Sequence, residues 1–319
     1  MTNRIRKIVE NIKNLYKGRL LPDEPMSLHT TMKTGGNAGL FAEPDDIFSL
    51  ALVVSECKKN SADFFILGGG SNLIVSDEGF CGVVISMNAF SSIKFEDGLV
   101  VCGSGVETSR AVEFFAENGI PGMEFFAGLP GTCGGACYMN ARCYSNDICS
   151  RISFVEYLDL ENFDENSYKF LEKHIKMYHN SKDCGQWSYK HSPFMGKSAV
   201  ITKVAFKAEE CQPEKISGLK AACRDFIKDR DQKGHFKDPS SGSVFKNNRK
   251  FGEPSGKLID EAGLKGVKIG GAQIAPWHGN IIINTGNATC SDIKKLVHLA
   301  QDKVKERTGF LLECEVVFI

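Results

Sequence analysis

The chain has 319 residues, 42% hydrophobic and 24% charged, which suits a globular protein of two or three domains with substantial cores. Lysine plus arginine equals aspartate plus glutamate at 39 each, so the basic excess of a nucleic-acid binder is missing. No apolar run reaches membrane-spanning length, and twelve cysteines without a secretory leader predict reduced thiols, a cytoplasmic location and no membrane partner.

Strands and helices are interleaved along the chain. Residues 1–17 carry Ile5, Ile8, Val9, Ile12 and Leu15 at helical spacing. Pro44, Asp45 and Asp46 open a second helix that runs to about residue 59, with acidic side chains at its positive end. Residues 63–67 read as a strand entering the glycine loop Leu67, Gly68, Gly69, Gly70, Ser71, Asn72, Leu73. Short strands are predicted at 82–86 and 99–103, and a helix at 107–118. A second glycine loop, 128–140, holds Gly128, Pro130, Gly131, Thr132, Gly134, Gly135, Ala136 and Asn140. The polar stretch 161–182 reads as a surface excursion and 199–207 as a strand. Ile216, Leu219, Cys223, Phe226 and Ile227 mark an amphipathic helix over 214–233 that looks like the start of a separate domain. A short helix at 255–262, a strand at 280–284, a long helix at 291–307 and a final strand at 310–319 complete the order. The sum is an α+β or mixed α/β enzyme.

Glycine at the density of 128–140 fits neither a helix nor a central strand. It lets backbone N–H groups converge on one point, and such a nest suits a phosphate or pyrophosphate. Two such loops suggest a large ligand of the dinucleotide kind. A Rossmann fingerprint fails because Leu73 stands at its sixth position, and no loop ends in Gly-Lys-Ser/Thr. Ser243, in the small-residue cluster 240–247, could move a proton if positive charge stabilised its alkoxide. Glu313 and Glu315 would share one face of the last strand, with Cys314 on the other. Cys133, Cys137, Cys143 and Cys149 lack the paired spacing of a zinc site, and no metal is expected. His29, His191 and His278 form no ligand pattern and read as ordinary histidines.

Seven motifs in order resemble the UDP-N-acetylenolpyruvoylglucosamine reductase family, over roughly 27–319. They are His29-Thr30-Thr31-Met32-Lys33-Thr34-Gly35-Gly36, residues 67–77, the loop 128–140, Tyr189-Lys190-His191-Ser192-Pro193-Phe194, residues 242–247, Ala262-Gly263-Leu264-Lys265-Gly266 and Leu312-Glu313-Cys314-Glu315-Val316. The resemblance implies a two-subdomain FAD-binding fold of the vanillyl-alcohol-oxidase/PCMH type plus a C-terminal α+β substrate-binding domain. The expected boundaries are 1–93, 94–207 and 208–319, with the last strand returning toward the flavin. It implies a monomer in which NADPH reduces FAD, flavin N5 delivers hydride to C3 of the enolpyruvyl group, and Ser243 protonates C2. Glu315 is implied as the catalytic carboxylate. Residues 67–73 and the named members of 128–140 are implied to bind FAD, and Tyr189, Lys237, Lys246, Asn247 and Lys265 the substrate.

Three departures from the family pattern stand out. Position 190 is lysine where the family usually has arginine, which keeps the charge but loses the two-point grip on a carboxylate. Arg142 follows Asn140-Ala141 where glycine is usual, and it is expected to supply the guanidinium missing at 190. Val317 stands where many members place an arginine. A flavin oxidase of the same superfamily and a non-catalytic flavin- or nucleotide-sugar-binding paralogue stay open as alternatives.

Overall fold

Hydrophobic periodicity, capping residues and glycine breaks divide the chain into seven α-helices and seventeen short strands among the residues described, which in this computed structural model are 2–180, 185–208 and 212–319. In chain order these begin α1 (Asn3–Ile12), β1 (Gly18–Pro25), β2 (Asn37–Pro44), α2 (Ile47–Lys59), β3 (Phe64–Leu67), β4 (Leu73–Ile74), β5 (Phe80–Ser86), β6 (Ile93–Glu96) and β7 (Leu99–Gly103). There follow α3 (Thr108–Glu117), α4 (Cys133–Tyr138), β8 (Arg142–Cys143), β9 (Asn146–Asp147), β10 (Ile152–Asp159), β11 (Ile175–His179), β12 (Ala199–Lys207) and α5 (Ile216–Gln232). The last are β13 (Ser240–Ser243), α6 (Ser255–Glu261), β14 (Lys268–Ile269), β15 (Ala272–Ile274), β16 (Ile281–Asn284), α7 (Cys290–Thr308) and β17 (Val317–Phe318). No helix among the described residues is long and apolar enough to cross a membrane.

Contacts divide the chain into two compact units. The first comprises Met1–Asp23, Gly39–Gly69 and Cys81–Asp229. It holds a four-stranded sheet ordered β1-β2-β5-β3 and a five-stranded sheet ordered β11-β10-β12-β7-β6. One core joins α1 and α2 to the first sheet through Ile5, Ile8, Ile12, Leu50, Val53, Val54 and Val83. A second core packs α3 and α4 on the larger sheet through Val112, Phe115, Phe126, Cys137, Val204 and Phe206. Helix α5 leans on this core with Cys223 and Phe226, and the Tyr144 hydroxyl donates to Asp229 at 2.6 Å. That hydrogen bond ties the last turns of α5 to the β8–β9 hairpin.

The second unit comprises Glu24–Ala38, Gly70–Phe80 and Arg230–Ile319. Its sheet runs β13-β16-β15-β14, and α6 and α7 cover one face through Leu258, Ile259, Ile293, Leu296, Val297 and Ala300. Met32 and Ile74, from the two short early segments, belong to the same core.

Two expectations need correction. The surface excursion expected over 161–182 carries regular structure as far as 180: β11 pairs antiparallel with β10 at the sheet edge, and Phe163, Tyr168 and Leu171 pack on the first core, while 181 and 182 lie outside the described residues. Aromatic anchors spaced among charges gave no strand alternation to read. The final segment is regular only at β17, which pairs parallel with β4; upstream it touches the sheet at a single Phe245–Cys314 bridge. Glu313 is consequently exposed and ion-paired with Lys246, whereas Glu315 is half-buried, so the two carboxylates do not share one environment.

Candidate active site

In the first unit the two glycine loops meet. A Cβ at Gly69 would lie 2.5 Å from the Cα of Gly131, and one at Gly68 would lie 2.8 Å from the Thr132 hydroxyl. At Gly69 the obstacle is main chain, so closeness rather than backbone angle requires glycine there, whereas at Gly68 it is a side-chain hydroxyl. Thr132 caps the short helix α4, its hydroxyl accepting from Gly135 N–H at 3.3 Å. The N–H groups of Cys133 and Gly134 donate to the carbonyls of Val106 and Ser104. Those three donors are thus committed inside the protein, which narrows the expected nest. Among the described residues, the N–H groups of Gly68, Gly69, Gly131 and Thr132 make no hydrogen bond. Beside them the Ser104 and Thr108 hydroxyls are buried with no partner among the described residues. Four unengaged donors on two touching loops, with no Cβ between them, fit a diphosphate.

Asn140, expected at the cofactor, is 1% exposed with φ +41°. Its amide donates to the Ser188 carbonyl at 2.8 Å and accepts from Cys149 N–H at 3.3 Å. Ser192 reaches back to the Tyr138 carbonyl at 2.6 Å. These bonds stitch the end of the second glycine loop to 188–192 and so bring Arg142 and Tyr189 together. The Arg142 guanidinium lies 5.9 Å from the Tyr189 ring centre and donates to Asp147 at 2.7 Å across the hairpin. Lys190, half-buried, follows in a left-handed turn at φ +54°.

Cys133 and Cys137 sit on α4, fully buried. The thiol of Cys133 is raised by its hydrogen bond with Cys102 and by burial, and that of Cys137 by burial. Such thiols are protonated and inert.

In the second unit Ser243 ends β13, exposed, opposite Ile281 of β16. The next carbonyl, of Val244, accepts from Glu315 N–H at 2.8 Å, so Ser243 and Glu315 are brought to neighbouring positions by main-chain bonding. Asn72 Nδ2 donates to the Glu315 carbonyl at 3.0 Å and the Asn72 carbonyl accepts from Val317 N–H. Gly70, φ +61°, has the His29 carbonyl oxygen 2.1 Å from where a Cβ would be. Ser71 and Leu73 complete this turn, Leu73 pairing with Val317.

The expected substrate residues are less uniform. Lys246 is paired with Glu313 at 2.6 Å and Lys265 with Asp260 at 2.9 Å. Lys237 lies over the Trp277 ring at 5.0 Å. The Asn247 side chain accepts from Ser255 N–H at 2.9 Å, which ties it to the start of α6. The sequence reading missed two side chains that fix this geometry, Asp77 and Asn280. Asp77 lies inside a quoted motif, yet nothing local marks its partners.

Residues 38–160 match the family model described as FAD binding domain, and 234–319 that described as UDP-N-acetylenolpyruvoylglucosamine reductase, C-terminal domain. A UDP-N-acetylenolpyruvoylglucosamine reductase of Treponema denticola is 41% identical over 99% of this chain and 98% of its own. The chain belongs to the UDP-N-acetylenolpyruvoylglucosamine reductase family. The Treponema pallidum reductase is 35% identical over 92% of each chain. The crystal structure of the reductase from Thermus caldophilus superposes with a TM-score of 0.72 at 27% identity, covering 95% of this chain and 99% of that one. The resemblance drawn from seven motifs therefore holds, and with it the mixed α and β architecture with an FAD-binding domain. The FAD-binding match spans both glycine loops. The reductase C-terminal match spans Ser243, Lys246, Asn247, Lys265 and Glu315, while Tyr189 and Lys190 fall outside both.

Proposed function

We propose that this protein reduces UDP-N-acetylenolpyruvoylglucosamine to UDP-N-acetylmuramate, with FAD as cofactor and NADPH as electron source. The observation that supports the reading is the main-chain bond from Glu315 N–H to the carbonyl of Val244, the residue after Ser243, which makes positions 243 and 315 backbone neighbours although they stand at opposite ends of the reductase domain. Gly68, Gly69, Gly131 and Thr132 would hold the cofactor through their N–H groups, and the cofactor when bound would supply the hydride for C3 of the enolpyruvyl group. Addition there leaves negative charge on C2 and its carboxylate. Ser243 gives its hydroxyl proton to C2, and the proton is replaced from solvent. Glu315 orients the carboxylate end of the substrate. Lys190 and Arg142 supply the positive charge that lowers the cost of the developing anion.

Arg142 is suited to stand in for the missing arginine because its guanidinium lies 5.9 Å from the ring centre of Tyr189, the chain neighbour of residue 190, and Asp147 fixes its direction. A guanidinium bound to one carboxylate oxygen through one N–H keeps donors for a second anion. Arg142→Ala and Lys190→Ala should each slow reoxidation of the reduced enzyme by substrate in stopped flow. Unchanged reoxidation in Arg142→Ala removes the coupling.

The test of the whole reading is spectroscopic. Purified protein should be yellow, bleach with NADPH without oxygen, and recover colour on adding the enolpyruvyl substrate. Bleaching without recovery favours an oxidase of another substrate, and absence of flavin a non-catalytic paralogue.

A further inference from the structure

We infer that Asn280 is a positioning residue that sets Ser243 and Glu315 through the backbone of Phe245. The inference rests on the roles proposed above for that serine and glutamate. Strand β13 pairs with β16 at Ser240–Ile283 and Ser243–Ile281, with an irregular register between. Beyond the main-chain bond between residues 244 and 280 the ladder stops, because β16 begins at Ile281 and the preceding chain turns, Ile281 N–H donating to the His278 carbonyl. The Asn280 side chain takes the place of the missing strand. Its Oδ1 accepts from Phe245 N–H at 2.8 Å and its Nδ2 donates to the Phe245 carbonyl at 2.8 Å. The Asn280 carbonyl accepts from Val244 N–H at 2.9 Å.

The clamp is dry: Asn280 is 3% exposed and Phe245 2%. A primary amide presents one donor and one acceptor in the geometry of a peptide, which few other side chains reproduce. On its far side the same segment meets the C-terminal strand residues. Val244 accepts from Glu315 N–H, and Lys246 N–H donates to the Glu313 carbonyl at 2.9 Å. Residues 244–246 are therefore held between Asn280 and 313–315. Ser243 is one peptide upstream, and Glu315 is one hydrogen bond away. Behind the clamp, His278 Nδ1 accepts from Asn280 N–H at 3.1 Å, and burial keeps that imidazole neutral and able to accept.

Asn280→Asp separates positioning from bulk. A neutral carboxyl makes both bonds, its O–H replacing the amide N–H. A carboxylate keeps the acceptor but sets a negative charge against the Phe245 carbonyl. Burial raises a carboxyl pKa. The titratable groups around the clamp are His278 on its own turn, Lys265 acting on His278, and Lys246, Glu313 and Glu315 on the flanking segments. In dithionite-reduced holoenzyme mixed with substrate, Asn280→Asp should reoxidise near the parent rate at about pH 6 and fall by at least about tenfold by about pH 9. Asn280→Ala should be slow by about a hundredfold at every pH. Hydrogen exchange of 244–246 in the holoenzyme, read without the reaction, should follow the same pattern. An Asn280→Asp profile parallel to the parent in both rate and exchange overturns the inference, provided Ser243→Ala is slow. Parent-rate reoxidation in Ser243→Ala overturns the catalytic reading and the positioning role with it.

Discussion

Gly69 shows how much a single missing Cβ decides. Gly69→Ala forces the added carbon against main-chain atoms of Gly131, which cannot swing aside as a side chain can. The substitution should cost about 1–3 kcal/mol in urea unfolding and weaken FAD binding, measured by quenching of flavin fluorescence. An alanine variant with parental stability and affinity contradicts the close approach. Glycine loops were legible in the sequence because no other residue tolerates such contact. The lysines were not: Lys246 finds Glu313 at a separation of 67 positions, which no local pattern announces. His278 offers a second test. Burial, and to a lesser degree Lys265, hold its pKa below the usual value. The unfolded chain therefore takes up the extra proton first, so this contribution is complete above about pH 6.5 and is lost as pH falls through the folded value. The stability of His278→Gln should depend less steeply on pH between about 7 and 5 than that of the parent; equal slopes in urea titrations count against it.

Helix α7 carries a double cap. Thr289 and Asp292 form a capping box, and Asp77 adds both carboxylate oxygens to the first turn, 2.6 Å from Cys290 N and 2.9 Å from Ser291 N. Asp77→Ala should destabilise by about 1–2 kcal/mol in urea unfolding, with Asp77→Asn retaining part of that. A loss indistinguishable from zero would mean that water replaces the cap fully. Long periodic helices were readable to within a residue or two, as at α5 and α7, since one apolar stripe repeats often enough to be seen, even at α5 where only Leu219 of it is buried. Strands of four to seven residues were read as well, at 63–67, 82–86, 99–103 and 280–284, whereas the two-residue ones were not. Two-residue pairings such as β17 with β4 have no period, and β11 is defined by its partner β10 more than by its own sequence.

At the scale of the whole molecule, each unit has its own core, and the two touching glycine loops lie in the first. Saturation with FAD at a hundredfold over its Kd should stabilise the folded protein by about 2.7 kcal/mol. Hydrogen-exchange protection should rise first in peptides covering 66–69 and 128–140. Protection that rises only in 230–319 would place the cofactor wrongly. The α+β class followed from the alternation of elements, but the interleaving of 24–38 and 70–80 with the C-terminal third did not, because the sequence order of segments says nothing about which core they join.

The pairing of β4 with β17 sets a timetable for synthesis. Asn72 meets Glu315 across 243 positions, and Ser76 N–H finds its acceptor on Ile319 at 2.6 Å. On the ribosome the segment 70–77 emerges early and can meet Thr31 and Gly36, but β4 must wait for β17 until nearly all that follows has been translated. Through that interval an apolar stretch, Leu73, Ile74 and Val75, is exposed to chaperones and proteases.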